Sequence, residues 1–209
     1  MLNRGLYAIT DSALGDRLLP AVEAALRSGA ICVQYRDKSA DADKRLTEAR
    51  ALAALCRRYG CPLLINDDVE LCFAAGADGV HLGRGDGSLA DARRHLGPTA
   101  ILGATCHASL DFAAEAFLDG ADYLAFGAMF PSPTKPGAHP ADPAILREAR
   151  QRFGLPVVAI GGITLDNAPG LIAAGADCLA VISDLFARPD ADIEARAAAY
   201  RRLFTTEPL

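Results

Sequence analysis

Seven glycine joints of two alternating kinds run down this 209-residue chain, and their alternation limits the folds open to it. One kind is Gly29-Ala30-Ile31, Gly76-Ala77-Asp78, Gly120-Ala121-Asp122 and Gly175-Ala176-Asp177; each ends an Ala/Leu-rich helical stretch and starts an apolar run. The other is Gly60-Cys61-Pro62, Gly97-Pro98 and Gly154-Leu155-Pro156, where a proline follows the glycine stop and prevents the helix from continuing. The joints separate eight strand–helix units. The strands are predicted at Leu6–Thr10, Ile31–Arg36, Leu63–Asn66, Gly79–Leu82, Ala100–Ala104, Tyr123–Gly127, Val157–Ile160 and Cys178–Ile182. Amphipathic stretches such as Asp41–Tyr59 and Pro143–Phe153 carry apolar residues at three- and four-residue spacing. Short apolar strands, each followed by a helix, specify a parallel sheet covered on both faces. Eight such units in this length predict a (β/α)8 TIM barrel, an α/β fold, as a single domain over 1–209. A doubly wound open sheet is the alternative, but it would show fewer strands and a glycine fingerprint after the first; Thr10-Asp11-Ser12 stands there instead.

Composition removes several function classes. Apolar residues make up 51% of the chain, yet no apolar run reaches the length of a membrane span, so no membrane partner is expected. Met1-Leu2-Asn3-Arg4-Gly5 leads into an ordinary strand and predicts no signal peptide. A net charge of −5 with both signs mixed throughout argues against a nucleic-acid surface. The six cysteines lack paired metal spacing and read as small hydrophobes in a reducing cytoplasm; Cys106, beside a candidate site residue, reads as packing because no activating base is evident.

In such a barrel the chemistry belongs at the carboxyl ends of the strands. Gln34, Arg36 and Lys38 share one face of the second strand's end, while Val33 and Tyr35 take the opposite face against the helices. The third strand ends in Asn66-Asp67-Asp68 and the fourth in His81-Leu82-Gly83-Arg84-Gly85-Asp86. Asp67 and Asp86, on neighbouring tips, are a candidate pair for one Mg2+, whereas Asp68 directly precedes a helix and suits a cap. His81 reads either as a mouth residue or as a hydrogen-bonded histidine inside the barrel. A zinc trio of His81, His107 and Asp86 is a poor alternative in an oxygen-ligand setting. The fifth strand supplies Thr105, and His107 suits a cap for the helix beginning near Ser109. The long proline-rich loop 131–142 carries Ser132, Thr134 and Lys135 and reads as a phosphate-contacting lid. Gly161-Gly162 and Ile182-Ser183, at the last two strand ends, form a phosphate cradle. Arg36, Lys38 and Lys135, with a cation on Asp67 and Asp86, suit a diphosphate, which leaves the glycine cradle for a separate phosphate.

These motifs resemble the thiamine phosphate synthase family across nearly the whole chain. The matching pieces are Tyr7-Ala8-Ile9-Thr10-Asp11, Val33-Gln34-Tyr35-Arg36-Asp37-Lys38, Asn66-Asp67, Asp78-Gly79-Val80-His81-Leu82-Gly83 with Asp86, Phe130-Pro131-Ser132-Pro133-Thr134-Lys135, Ile160-Gly161-Gly162-Ile163 and Ala180-Val181-Ile182-Ser183. The resemblance implies a Mg2+-dependent transfer of the (4-amino-2-methylpyrimidin-5-yl)methyl group from its diphosphate to the nitrogen of a thiazole phosphate, or of its carboxylated form. It implies diphosphate contacts from Arg36, Lys38, Asn66, Thr105 and Lys135, and magnesium on Asp67 and Asp86. Pyrimidine contacts fall to Gln34 and Asn66, and a thiazole-phosphate pocket to Ser132, Thr134, Gly161, Gly162, Ile182 and Ser183. A homodimer is implied as well. The chain departs from the family at Ser132 and Thr105, where threonine and serine respectively are more usual, and at Arg84-Gly85, where a Gln-Glu-like pair is commoner.

Two other readings compete. A thiazole tautomerase relative has a similar barrel and needs no diphosphate grip; His107 would serve it as a proton carrier, but Asn66-Asp67, Lys38 and Thr134-Lys135 favour the synthase. A catalytically silent phosphate sensor would need the glycine cradle alone.

Overall fold

The computed structural model describes residues 2–131 and 140–205. Its parallel strands close into a barrel in chain order, each paired with its sequence neighbours and the last with the first. In order the elements are β1 (Gly5–Ile9), a short 3-10 segment (Ser12–Arg17), α1 (Leu18–Arg27), β2 (Cys32–Tyr35), α2 (Ala42–Arg58), β3 (Leu63–Asn66) and α3 (Val69–Ala75). There follow β4 (Gly79–Leu82), α4 (Leu89–Leu96), β5 (Ile101–His107), α5 (Leu110–Leu118), β6 (Tyr123–Phe126) and α6 (Ala144–Phe153). The chain ends with β7 (Val157–Ile160), α7 (Ala168–Ala173), β8 (Cys178–Val181), α8 (Ser183–Phe186) and α9 (Asp190–Thr205). This is the predicted (β/α)8 barrel.

Five strands differ from the sequence reading by one residue or more at an end, and two of the differences bear on the site. β5 runs on to His107 through a register shift between Thr105 and His107, so Thr105 lies within a strand rather than beyond it. After Val181 the backbone leaves the extended region at Ile182 (φ −113°, ψ −87°), and Ser183 is the first residue of a short helix rather than a strand tip. A strand ladder and a helix turn both suit such short polar tips, so local sequence did not choose between them.

The repeated Gly-Ala-Asp joint has a job beyond stopping a helix. Asp78 accepts the N–H of Leu63 at 2.8 Å, Asp122 that of Leu102 at 2.8 Å, and Asp177 that of Val157 at 3.0 Å. Each of these aspartates also donates its own N–H to the carbonyl of the same partner, at 2.9, 2.7 and 2.8 Å. The aspartate before each of β4, β6 and β8 therefore clasps the start of the strand before it. At the first joint Ile31 takes this position; its N–H bonds the Leu6 carbonyl, and its side chain packs over Gly5. Asp177 is buried and paired with Arg150 at 3.2 Å, while Asp122 holds Arg93 at 2.7 Å.

Two apolar layers result. Strand residues facing outward, such as Val33, Tyr35, Ile65, Val80 and Leu102, pack with the helices in one large core. Inside the barrel Tyr7, Ile9, Cys32, Leu64, Tyr123, Val158 and Cys178 form a separate cluster. The alternation is that of the pleat, so Gln34 faces inward while Val33 and Tyr35 face the helices, as the sequence predicted. All six cysteines are free and buried, and burial pushes the Cys106 thiol up to about 12, which suits packing and not a nucleophile. Among the described residues no helix is long and apolar enough to cross a membrane.

The C-terminal helix anchors α8. Asp184 accepts Arg196 Nε at 2.9 Å, Arg196 Nη2 at 2.5 Å, the Tyr200 hydroxyl at 2.6 Å and Arg188 Nη2 at 3.1 Å. Burial acts to raise the Asp184 carboxyl, but the bonds from Arg196, Tyr200 and Arg188 outweigh it and hold the group below the usual carboxylate range.

Two outcomes follow for stability. Asp177→Ala strands the Val157 N–H and removes the partner of Arg150, so urea unfolding should show a loss of about 1–3 kcal/mol. Asp184, depressed in the folded state, contributes stability that is present above the ordinary carboxylate pKa of about 4 and is lost as pH falls through its lower folded value. Thermal melts of Asp184→Asn should be lower than wild type at pH 7, and the gap should narrow toward pH 3.

Candidate functional site

The polar groups gather at the carboxyl ends of the strands. From β2, the Arg36 N–H donates to Thr10 Oγ1 at 3.0 Å, and its guanidinium lies 3.6 Å from Asp11 on the tip of β1. Asp37, on the other side of the chain, pairs with Lys44 of α2 and accepts the Ser39 N–H at 2.7 Å. Burial would raise its carboxyl; the Lys44 and Ser39 bonds overcome that and lower it. With Asp37 clamped to α2, Arg36 and Lys38 on either side are left to the mouth. Lys38 is exposed.

Asn66 and Asp67 end β3, and Asp67 adopts a left-handed backbone (φ 64°) that few non-glycine residues take. Its N–H bonds the His81 carbonyl at 2.9 Å, and Asn66 Nδ2 donates to its side chain at 2.5 Å. The bend brings Asp67 against Asp86, the tip of β4. Burial, then the hydrogen bond and charge of Asp86, raise the Asp67 carboxyl; Asn66 and the Lys38 ammonium pull it back only in part. Asp86 is itself held by the Gly83 N–H at 3.0 Å. Two carboxylates meeting beside a lysine form an oxygen-only donor set, which fits a hard divalent cation such as Mg2+ that keeps several waters. Asp68 caps α3 by accepting the Leu71 N–H at 2.8 Å, as its place before the helix predicted. Arg84 turns to α5, lying over the Phe112 ring at 3.8 Å and 3.6 Å from Glu115, so its departure from the family pair leaves the Asp67–Asp86 contact in place.

His81 lies inside the barrel. Its Nδ1 is 2.8 Å from the Tyr123 hydroxyl and its Nε2 is 2.8 Å from Thr105 Oγ1. Tyr123 bonds Tyr7 at 2.8 Å, and Tyr7 accepts Gln34 Nε2 at 2.7 Å. Gln34 and Thr105, chosen from different strand ends, are thus two ends of one buried line of side chains. Sequence reasoning missed Tyr7 and Tyr123; their inward-facing register was the available signal. His107 does not cap α5, since Ser109 does so by accepting the Phe112 N–H at 3.2 Å. Among the described residues no three His, Cys, Asp or Glu side chains are placed to hold a metal, so the zinc trio is not assembled.

The glycine turn is shaped by its neighbour in the barrel. A Cβ on Gly161 would lie 2.7 Å from Ala128 Cα, and one on Gly162 would lie 2.5 Å from the Pro131 carbonyl oxygen, with φ 62° besides. Met129 and Phe130 donate their N–H groups to Ile160 and Gly161 at 2.9 and 3.0 Å. The two glycines therefore admit the backbone leading into the loop after β6. Asn167 braces the turn, donating to the Gly162 carbonyl at 3.0 Å and accepting the Thr164 N–H at 2.9 Å. Beside it, α8 opens at Ser183 with no side-chain cap on its first-turn N–H groups. Ser132, Thr134 and Lys135 lie outside the described residues.

A groove of about 810 Å3 opens among Arg57, Phe73, Asp78 and Thr99. It lies at the amino ends of β3, β4 and β5, across the barrel from these groups, and shares no residue with them.

Known proteins resemble this chain over nearly its whole length. A family model described as thiamine monophosphate synthase matches residues 6–185. Curated thiamine-phosphate synthases from Thiobacillus denitrificans and Marinobacter nauticus are 56% and 57% identical, covering 98% and 96% of this chain and 96% and 90% of their own lengths. The solved thiamine phosphate pyrophosphorylase of Pyrococcus furiosus superposes with a TM-score of 0.86 at 34% identity, covering 96% of this chain and 95% of its own. The chain belongs to the thiamine monophosphate synthase family.

Proposed function

We propose that this protein joins (4-amino-2-methylpyrimidin-5-yl)methyl diphosphate to a thiazole phosphate, giving thiamine phosphate and diphosphate, with CO2 released as well when the thiazole is carboxylated. The observation that carries the reading is the meeting of Asp67 with Asp86 beside Lys38 at the barrel mouth. A sensor or a tautomerase has no use for that set.

The carbon–oxygen bond to the diphosphate breaks, and its electron pair leaves on the diphosphate. The aminopyrimidine delocalises the positive charge left on the methylene carbon. The thiazole nitrogen then closes the carbon–nitrogen bond with its own lone pair. No proton has to be removed in these steps, which explains why neither a general base nor a nucleophile stands out. The protein's work is to bind, orient, exclude water and stabilise charge.

Arg36, tethered to Thr10 and Asp11, and Lys38 meet the departing diphosphate with Lys135, Asn66 and Thr105. Held by Asp67 and Asp86, Mg2+ would add positive charge where the diphosphate's negative charge builds. Gln34 and Asn66 face the pyrimidine. Gly161, Gly162, Ile182 and Ser183, with Ser132 and Thr134, hold the thiazole phosphate. Because the 128–131 backbone rests on Gly161 and Gly162, the thiazole pocket and the root of the loop are one unit. The 131–142 loop serves to keep water from the methylene cation.

Purified protein given both substrates should release diphosphate with Mg2+ and stop when EDTA is added. Turnover of a thiazole tautomer alone, with no coupling, would replace this reading with the tautomerase. Asp86→Asn should raise the Mg2+ concentration needed for half-maximal rate and lower kcat on the order of a hundredfold. Thiazole-phosphate affinity, measured calorimetrically, should stay within a few-fold of wild type.

A further inference from the structure

Inside the barrel, Gln34, Tyr7, Tyr123, His81 and Thr105 form an unbroken line with links of 2.7, 2.8, 2.8 and 2.8 Å. Neighbouring interior positions are filled by Leu64, Val158 and Cys32, so polar side chains were not required to fill the space. Room is cleared for the line: a Cβ on Gly103 would lie 2.0 Å from the Tyr123 ring carbon that bears its hydroxyl. Burial first, then the neighbouring phenol and Cys32, raises Tyr7 well above the ordinary phenol range; burial and then Cys32 do the same for Tyr123. Each phenol therefore carries one hydrogen and can donate once.

Counting hydrogens gives the line a direction. Gln34 Nε2 donates to Tyr7, so the Tyr7 hydrogen passes to Tyr123 and the Tyr123 hydrogen to His81 Nδ1. His81 then carries its proton on Nε2 and donates to Thr105 Oγ1, which leaves the Thr105 hydrogen for a ligand. The opposite polarity is also self-consistent, but only if Gln34 turns its amide over, with its carbonyl inward and its NH2 toward the mouth. A doubly protonated His81 would leave the Tyr7 hydrogen without an acceptor while Gln34 Nε2 faces Tyr7, and would uncouple the two ends if the amide turned over. The coupling therefore requires a neutral His81. The two outer ends are thus tied: acceptor at Gln34 with donor at Thr105, or the reverse.

We propose that Tyr7, Tyr123 and His81 are positioning residues that set pyrimidine specificity by coupling the Thr105 hydroxyl to the orientation of the Gln34 amide. Diphosphate oxygens only accept, so a bound diphosphate selects Thr105 as donor. The line then turns the Gln34 carbonyl to the mouth, where it accepts from the exocyclic amine of the pyrimidine. The inference rests on the reading of Gln34 and Thr105 as groups that meet the pyrimidine diphosphate.

Two measurements on the full chain test it. In 15N-histidine NMR of wild type with Mg2+ and inorganic diphosphate, His81 should be protonated on Nε2 and bare on Nδ1; an Nδ1–H tautomer or an imidazolium overturns the coupling. Tyr7→Phe and Tyr123→Phe each break the line while keeping the ring. Each should lower kcat/KM for the aminopyrimidine diphosphate about tenfold, spare the 4-oxo analogue, and leave the KM for thiazole phosphate unchanged. Equal losses on amino and oxo substrates, or a parallel rise in the KM of thiazole phosphate, mean a structural role only and sink the proposal. Should either variant fail to fold, the wild-type tautomer decides alone. A wild type that couples no substrates at all instead overturns the functional reading, a different result from normal coupling with unaltered variants.

Discussion

Register is the constraint on which the site depends. A strand shifted by one residue would send its inward set to the helices and its outward set into the barrel. At three points Asp78, Asp122 and Asp177 hold the start of the preceding strand through both a carboxylate and a backbone N–H. Such a two-point clasp tolerates no slip, because moving either strand leaves a buried N–H or a carboxylate without its partner. The consequence appears at the other end of the strands. With register set below, Asn66 pairs with His81 across β3 and β4, and Asp67 is carried to Asp86.

Charge is then sorted by depth. Inside the barrel apolar side chains such as Leu64, Val158 and Cys178 share the space with the neutral line from Gln34 to Thr105, and beyond the strand ends stand Arg36, Lys38, Asp67 and Asp86. Neutral hydrogen-bonding groups suit the buried layer because each can be fully partnered there, whereas bare charges in the same place would be costly. The charged groups remain where water and ligand reach them. The proposed reaction, which separates a cation from a diphosphate anion, suits this gradient, since Arg36 and Lys38 stand at the strand ends and the buried groups are neutral hydrogen-bonding ones.

Much of this was legible in the sequence. The glycine joints announced eight units, three strands matched residue for residue, and alternation placed Gln34 inward with Val33 and Tyr35 outward. Asp68 was readable as a cap because it directly precedes an apolar helical run. Other residues were ambiguous for a physical reason. His81 occupied an inward position near a strand end, and whether such a residue meets ligand or core depends on what the opposite strands supply; here Tyr123 and Thr105 supply it. Ser183 reads as a strand tip in the sequence, yet an apolar run followed by a small polar residue describes a helix start equally well. The Gly161-Gly162 turn suggested room for a ligand, yet the close approach that demands glycine is made by the chain's own backbone at 128–131.

The sequence by itself determined the fold, the family and the set of groups at each strand end, since periodicity, joints and local motifs are properties of neighbours along the chain. Tertiary structure decided which of those groups meet. The contact of Asp67 with Asp86 joins two loops, and the line from Gln34 to Thr105 passes through four further strand-to-strand encounters that no local pattern encodes. Tyr7 and Tyr123 lie 116 residues apart and are partners only because the barrel closes.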